Sequence, residues 1–239
     1  MNHLTIFPDP PLSTRGVVSN RFLKLGVKSF QEACRYVSEL PYGYNSDCDD
    51  LLILFKDNMG TCATKHAVIA TLAHEQKLLI NKTFGIYAMT EEIVSGTNRI
   101  LKNYALPYLP MPHCFLSFAG YRVDLSAGNR NGKNKPIEEF LFSAVVAPAI
   151  TAQTEYLLYK EALLKSILIR PEMQSISLTT VLNARAQGLE LLKSKISFDS
   201  QTYDDKGLPI PFPNHNLDGI KPSPVKINRE SISDAGLRV

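Results

Sequence analysis

Fourteen residues from His113 to Ser126 alternate in character on either side of an Ala119-Gly120 pair. Successive side chains of a strand point to opposite faces, so this pattern predicts a β-hairpin turning at Ala119-Gly120. With Phe118 opposite Tyr121, one face carries His113, Phe115, Ser117, Arg122, Asp124 and Ser126, and the other Cys114, Leu116, Phe118, Tyr121, Val123 and Leu125. The second set is almost wholly apolar and has to pack on a core. The first set makes His113 and Asp124 diagonal neighbours within hydrogen-bonding range. A slip of one residue would invert both faces.

A second constraint lies upstream, where Gly60-Thr61-Cys62 precedes a run with helical character rich in small residues. Thr61 can cap a helix, which places Cys62 in its first turn and carries the helix to about Leu79. The unsatisfied N–H groups and positive dipole end at that position stabilise a thiolate, bringing a cysteine pKa from about 8.5 toward neutrality. The small residues imply a central helix buried on several sides. His66 and His74, further along it, are assigned structural or solvent-facing roles.

The chain has four cysteines, at positions 34, 48, 62 and 114, with no CxxC pair and no zinc pattern. Cys34 falls at core spacing in a helix opened by the capping box Ser29-Phe30-Gln31-Glu32 and stopped by Pro41. Cys48 lies among aspartates, which disfavour a thiolate. Cys114 points away from the His113 face. Cys62 is therefore the expected nucleophile, His113 its base and Asp124 the group that orients the imidazole.

The organisation expected is an irregular N-terminal arm over residues 1–28, a core over 29–150, a helical extension over 151–198 and a Pro-rich tail over 199–239. Within the core, Thr83–Met89 reads as a strand, Thr97–Tyr104 as a short helix, and Pro107, Pro110 and Pro112 as a stiff extended lead-in to the hairpin. Leu51–Phe55 is too short to assign by period. Residues 127–135 form a flexible polar loop, and Phe140–Val146 returns as a strand beside the hairpin. Two helices, 152–168 and 178–195, make the extension.

A net charge of +3 without a basic run argues against nucleic-acid binding. The N-terminus has no secretory pattern, and the apolar run Phe140–Ile150 falls far short of the roughly 20 residues that span a bilayer. A cytoplasmic protein with free thiols, no membrane partner and no cofactor is expected.

At these residues the chain resembles the transglutaminase-like superfamily of the papain-like cysteine-enzyme fold. The matching pieces run in the family's order: a helix ending in Leu40-Pro41-Tyr42-Gly43, Gly60-Thr61-Cys62 opening a helix, Phe84-Gly85-Ile86 entering a strand, His113 beginning the next and Val123-Asp124 on the one after. They cover about residues 29–127. The resemblance implies an α+β fold with the Cys-bearing helix packed on an antiparallel sheet, and a Cys62/His113/Asp124 triad. Cys114 and Leu125 stand where many members carry an aromatic residue and a proline or threonine. The side-chain donor that would join the Cys62 N–H in an oxyanion hole is one of Tyr42, Tyr44 and Asn58. No calcium-loop motif is present. The implied chemistry is acyl transfer through a thioester, as a protease, amidase or deamidase, or as a transferase to an amine. Its substrate would be a peptide, a protein or a small amide or acyl compound. A non-catalytic protein-binding module and a small-molecule acyltransferase using the same triad are the alternatives.

Overall fold

The computed structural model describes residues 3–127 and 130–196, so the tail expected over 199–239 lies outside the described residues. The fold is α+β. In chain order, its elements are α1 (Val17–Lys24), α2 (Phe30–Glu39), α3 (Ile53–Asp57), α4 (Cys62–Glu75), β1 (Asn81–Met89), α5 (Thr97–Tyr104), β2 (Leu109–Phe118), β3 (Tyr121–Val123), β4 (Phe142–Val146), α6 (Ala152–Ala162) and α7 (Leu178–Ser194). The strands form one antiparallel sheet in the order β3-β2-β1-β4.

α4 is the centre. Thr61 accepts the Thr64 N–H as its N-cap, while the Thr64 hydroxyl accepts the Thr61 N–H at 3.0 Å and donates to Asn45 Oδ1 at 2.8 Å. Past this polar start the helix is buried on nearly every side, with Val68, Ile69, Ala70, Leu72 and Ala73 inaccessible to solvent. It ends at Glu75, four residues before the expected Leu79, because Lys77 turns the chain at a positive φ of 60° and the Gln76 side chain is drawn to Ser13.

The hairpin register is the expected one: Phe118 pairs with Tyr121, Ser117 with Arg122 and Leu116 with Val123. Leu116, Val123 and Leu125 pack with α1, α2 and α4 in one hydrophobic cluster, which also buries Cys34. A second cluster joins β1 and β2 to α5, α6 and α7. Pro110 and Pro112 are part of β2 itself. Even-numbered residues of β2 turn their N–H and C=O toward the β3 side, and β3 reaches back only to Leu116, so neither proline costs a ladder bond. The Pro110 carbonyl is taken by the Tyr159 hydroxyl at 2.8 Å.

Two further expectations are corrected. Residues 3–28 are not a surface arm: Leu4, Phe7, Val18 and Phe22 belong to the core. The N-cap of α1, Gly16, has no side chain to hold the first amides, which are instead taken by Glu75 of α4, accepting the Val18 and Ser19 N–H groups at 3.0 and 2.6 Å. A cap supplied from 56 residues away leaves no local signature. The strand at 142–146 pairs with β1 rather than lying beside the hairpin, since β2 already has neighbours on both sides. Leu51–Phe55, unassigned by period, supplies the start of the short helix α3.

The segment joining the hairpin to β4 closes over the histidine face. Arg122 donates to the carbonyls of Ile137 and Glu138 at 2.8 and 3.0 Å, and Phe140 lies over Gly85 of β1, where a Cβ would stand 2.4 Å from the ring. Phe140 in turn stacks on His113, with ring planes 16° apart. Gly85→Ala should therefore destabilise the protein by about 1–3 kcal/mol through overpacking, measured by urea denaturation. Phe140→Leu in the same chain should recover part of the loss.

Candidate active site

β3 ends at Val123, so beyond it the outer edge of β2 carries N–H groups that no strand claims. The start of α4 packs against this edge, near enough for the Cys114 backbone N–H to favour the Cys62 thiolate. The Cys114 thiol itself is directed to Glu155 at 3.6 Å and is held well above the ordinary range by burial and that carboxylate. Cys114 thus serves the site through its backbone.

His113 is 2% exposed and donates from Nε2 to Asp124 Oδ2 at 2.7 Å, leaving Nδ1 as the nitrogen available to Cys62, whose thiol pKa the imidazole lowers. Asp124 follows the last residue of β3, and its other oxygen accepts the Ser126 N–H at 2.8 Å and hydroxyl at 2.7 Å. Ser126 is fixed in turn, its carbonyl accepting from Asn131 at 2.7 Å. The structure brings His113 and Asp124 together, as the hairpin parity predicted, with Cys62 at the start of α4 within reach of the imidazole's charge. The face that carries them is enclosed: Phe115 and Ser117 are buried beside His113, and Tyr87 meets the imidazole edge-on.

The charges follow from this enclosure. Burial alone would raise the Cys62 pKa, but the His113 charge and hydrogen bond, helped by Lys133, bring it below the ordinary thiol value. Burial would lower the His113 pKa, and the charges of Asp124 and Cys62 overcome this and raise it to about 9. Burial also works against ionised Asp124, yet His113, His66 and Ser126 hold its carboxyl well below the usual carboxylate range. Both shifts run toward a thiolate–imidazolium pair.

His66 takes the structural role expected of it. It is fully buried; its Nε2 accepts the Leu125 N–H at 2.8 Å, and the proton on Nδ1 is donated to the Cys62 carbonyl at 2.6 Å. This neutral ring, its pKa pushed down to about 3 mainly by burial, ties the start of α4 to the residue after Asp124. His74 is exposed.

The three oxyanion-hole candidates separate. Tyr42 pairs with Gly60 in a parallel bridge just before α4, and its phenol lies close enough to Cys62 for burial and the Cys62 charge to raise its pKa well above the ordinary value. Tyr44 stands one ring further out, edge-on to Tyr42 at 6.5 Å, with its pKa pushed up to about 12 by burial and the Cys62 charge. Asn58 ends α3 at a positive φ of 51°, a conformation asparagine tolerates, and its backbone role accounts for it.

Sequence reading missed four participants. Phe140 stacks on the imidazole. Lys133 places its ammonium 5.8 Å from the centre of the Tyr42 ring, close enough to Cys62 and Asp124 to feel both charges. Lys65 is wholly buried, donates to the Leu40 carbonyl and has its pKa lowered by burial to about 7. Tyr87 keeps a buried hydroxyl without a partner. Only contacts across the fold reveal these roles. A cavity of about 180 Å³, lined by Ala63, Lys82, Glu155 and Arg185 among others, adjoins the triad without including it.

Among the described residues, no group of His, Cys, Asp or Glu side chains is arranged to hold a metal ion, and no helix is long and apolar enough to cross a membrane. Comparison with protein-family models, curated proteins and solved structures finds no match for this chain.

His113 should remain protonated through neutral pH and titrate at about 9, as read from its ring nitrogen shifts by NMR. Because the folded pKa is raised, its stabilising contribution is complete below the unfolded value of about 6.5 and is lost as pH rises through about 9. Asp124→Asn removes the largest favourable contribution and should move the titration to lower pH.

Proposed function

We propose that the protein is a cysteine-nucleophile acyl-transfer enzyme of transglutaminase-like type, with a Cys62/His113/Asp124 triad. The observation that carries this reading is the bond by which Asp124 holds one nitrogen of the buried His113, leaving the other for the thiol at the start of α4. The order of Gly60-Thr61-Cys62, His113 and Val123-Asp124 along the chain supports the family assignment, as does the packing of α4 on an antiparallel sheet.

In this reading the Cys62 thiolate attacks an amide or ester carbonyl, forming the S–C bond and moving the carbonyl electrons onto oxygen. The Cys62 N–H and the hydroxyl of Tyr42, whose backbone pairs with Gly60 just before the nucleophile, both donate to the new oxyanion. His113 gives its proton to the leaving amine or alcohol as that bond breaks, and a thioester remains. Water or an amine then attacks the thioester, His113 accepts the proton of the attacking group, and the thiolate departs. Attack by water defines a protease, amidase or deamidase; attack by an amine defines a transferase. The substrate is a peptide, a protein or a small amide or acyl compound. A nucleophilic thiol with three further free cysteines suits a reducing compartment such as the cytoplasm.

The test is site-resolved labelling with iodoacetamide at pH 7, followed by peptide mass spectrometry. Cys62 should react at least about tenfold faster than Cys48, the exposed cysteine, because the thiolate is the reactive species. His113→Asn should remove that advantage. Equal labelling of Cys62 and Cys48 in the unsubstituted protein would contradict the reading.

A further inference from the structure

We propose that Lys133 is a specificity-determining residue, and that the site takes acyl donors carrying a carboxylate close to the reacting carbonyl. This deepens the acyl-transfer reading and rests on it. Lys133 belongs to a stretch that looks like a free polar loop in sequence but is pinned on several sides. The Lys133 N–H donates to Asn131 Oδ1 at 3.1 Å, and Asn131 donates to the Ser126 carbonyl at 2.7 Å. Asn134 bonds the Ile93 carbonyl and the Ser95 hydroxyl, each at 2.8 Å, and Lys135 pairs with Glu92 at 2.6 Å. Gly132, at a φ of 81°, lies against α7, where a Cβ would stand 3.2 Å from the Leu192 carbonyl oxygen.

The loop therefore delivers the Lys133 ammonium to a set place 5.8 Å from the ring centre of Tyr42, whose backbone pairs with Gly60 just before Cys62. Among the described residues, no side chain hydrogen-bonds this ammonium. It has the cost of partial enclosure without an acceptor, and a bound carboxylate would supply one.

The surroundings point the same way. Lys193 stands 5.3 Å from the Tyr44 ring centre, with Glu190 as its partner at 2.8 Å. Arg185 lies over Tyr159 at 4.9 Å, within electrostatic reach of Tyr44, and its Nε has no partner. The two tyrosines beside Cys62 are thus bordered by three cations against the one carboxylate of Glu190, a field that attracts anions to the site. Asp124 is already committed to His113 and Ser126.

Two alkylating reagents that differ in one group test the inference without a known substrate. With either, the Cys62 thiolate attacks the methylene carbon, the S–C bond forms and iodide leaves. Iodoacetate carries a carboxylate, whereas iodoacetamide is neutral. The ratio of their rates at Cys62 should fall about fivefold or more in Lys133→Gln, the effect of one nearby charge in a partly buried site, and should be retained in Lys133→Arg. An effect on the thiol alone would slow both reagents equally and leave the ratio unchanged, so the ratio isolates recognition of the reagent's charge. A Cys62 that reacts with both reagents at a ratio indifferent to Lys133→Gln overturns this inference alone. A Cys62 inert to both in the unsubstituted protein overturns the nucleophile reading, and this inference with it.

Discussion

The half-buried carboxylate of Asp124 is the interaction on which the site depends. A charge partly removed from water has to be paired and hydrogen-bonded, and its partners come from different parts of the fold. His113 comes from β2 and the Ser126 amide and hydroxyl from the turn after β3, while the neutral His66 ring of α4 holds the Leu125 N–H of that same turn. Together these bonds fix the hairpin, the turn and the central helix relative to one another. The carboxylate also decides which nitrogen of His113 remains to face Cys62.

The sheet's shape is equally specific. Were β3 two residues longer, the N–H of Cys114 would enter the ladder and the start of α4 would have no place at the edge of β2. The early end of β3 leaves the slot that the Cys62 sulfur occupies. The segment bearing Phe140 covers the opposite side of the imidazole, and it can do so because position 85 has no side chain. The nucleophile is thus held by a local helix cap, by a strand edge and by a ring supplied from farther along the chain.

What the sequence made legible follows from the range of the forces involved. Hairpin parity is a local property with a period of two, and it placed His113 beside Asp124 with the register found between Phe118 and Tyr121. The capping residues Ser29 and Thr61 likewise announce helices that the structure contains. Helix α1 was illegible because its cap is Glu75, on another helix. The edge chosen by Phe142–Val146 was illegible because it depends on which edge of the sheet stays open. Lys133 lies in a segment without period and Phe140 opens the run read as a strand, and only contacts across the fold give them roles in the site. Tyr42 was already a candidate, but its precedence over Tyr44 and Asn58 required knowing that its backbone pairs with Gly60.

The central claim is that Cys62 and His113 form an ion pair. The ultraviolet absorbance of the thiolate, titrated in the native protein and in Cys62→Ala, tests it most directly. The account predicts that the absorbance difference between the two proteins develops below the ordinary thiol pKa of about 8.5, because the Cys62 pKa is lowered. A difference that is absent at pH 7 and emerges only above that value would contradict it.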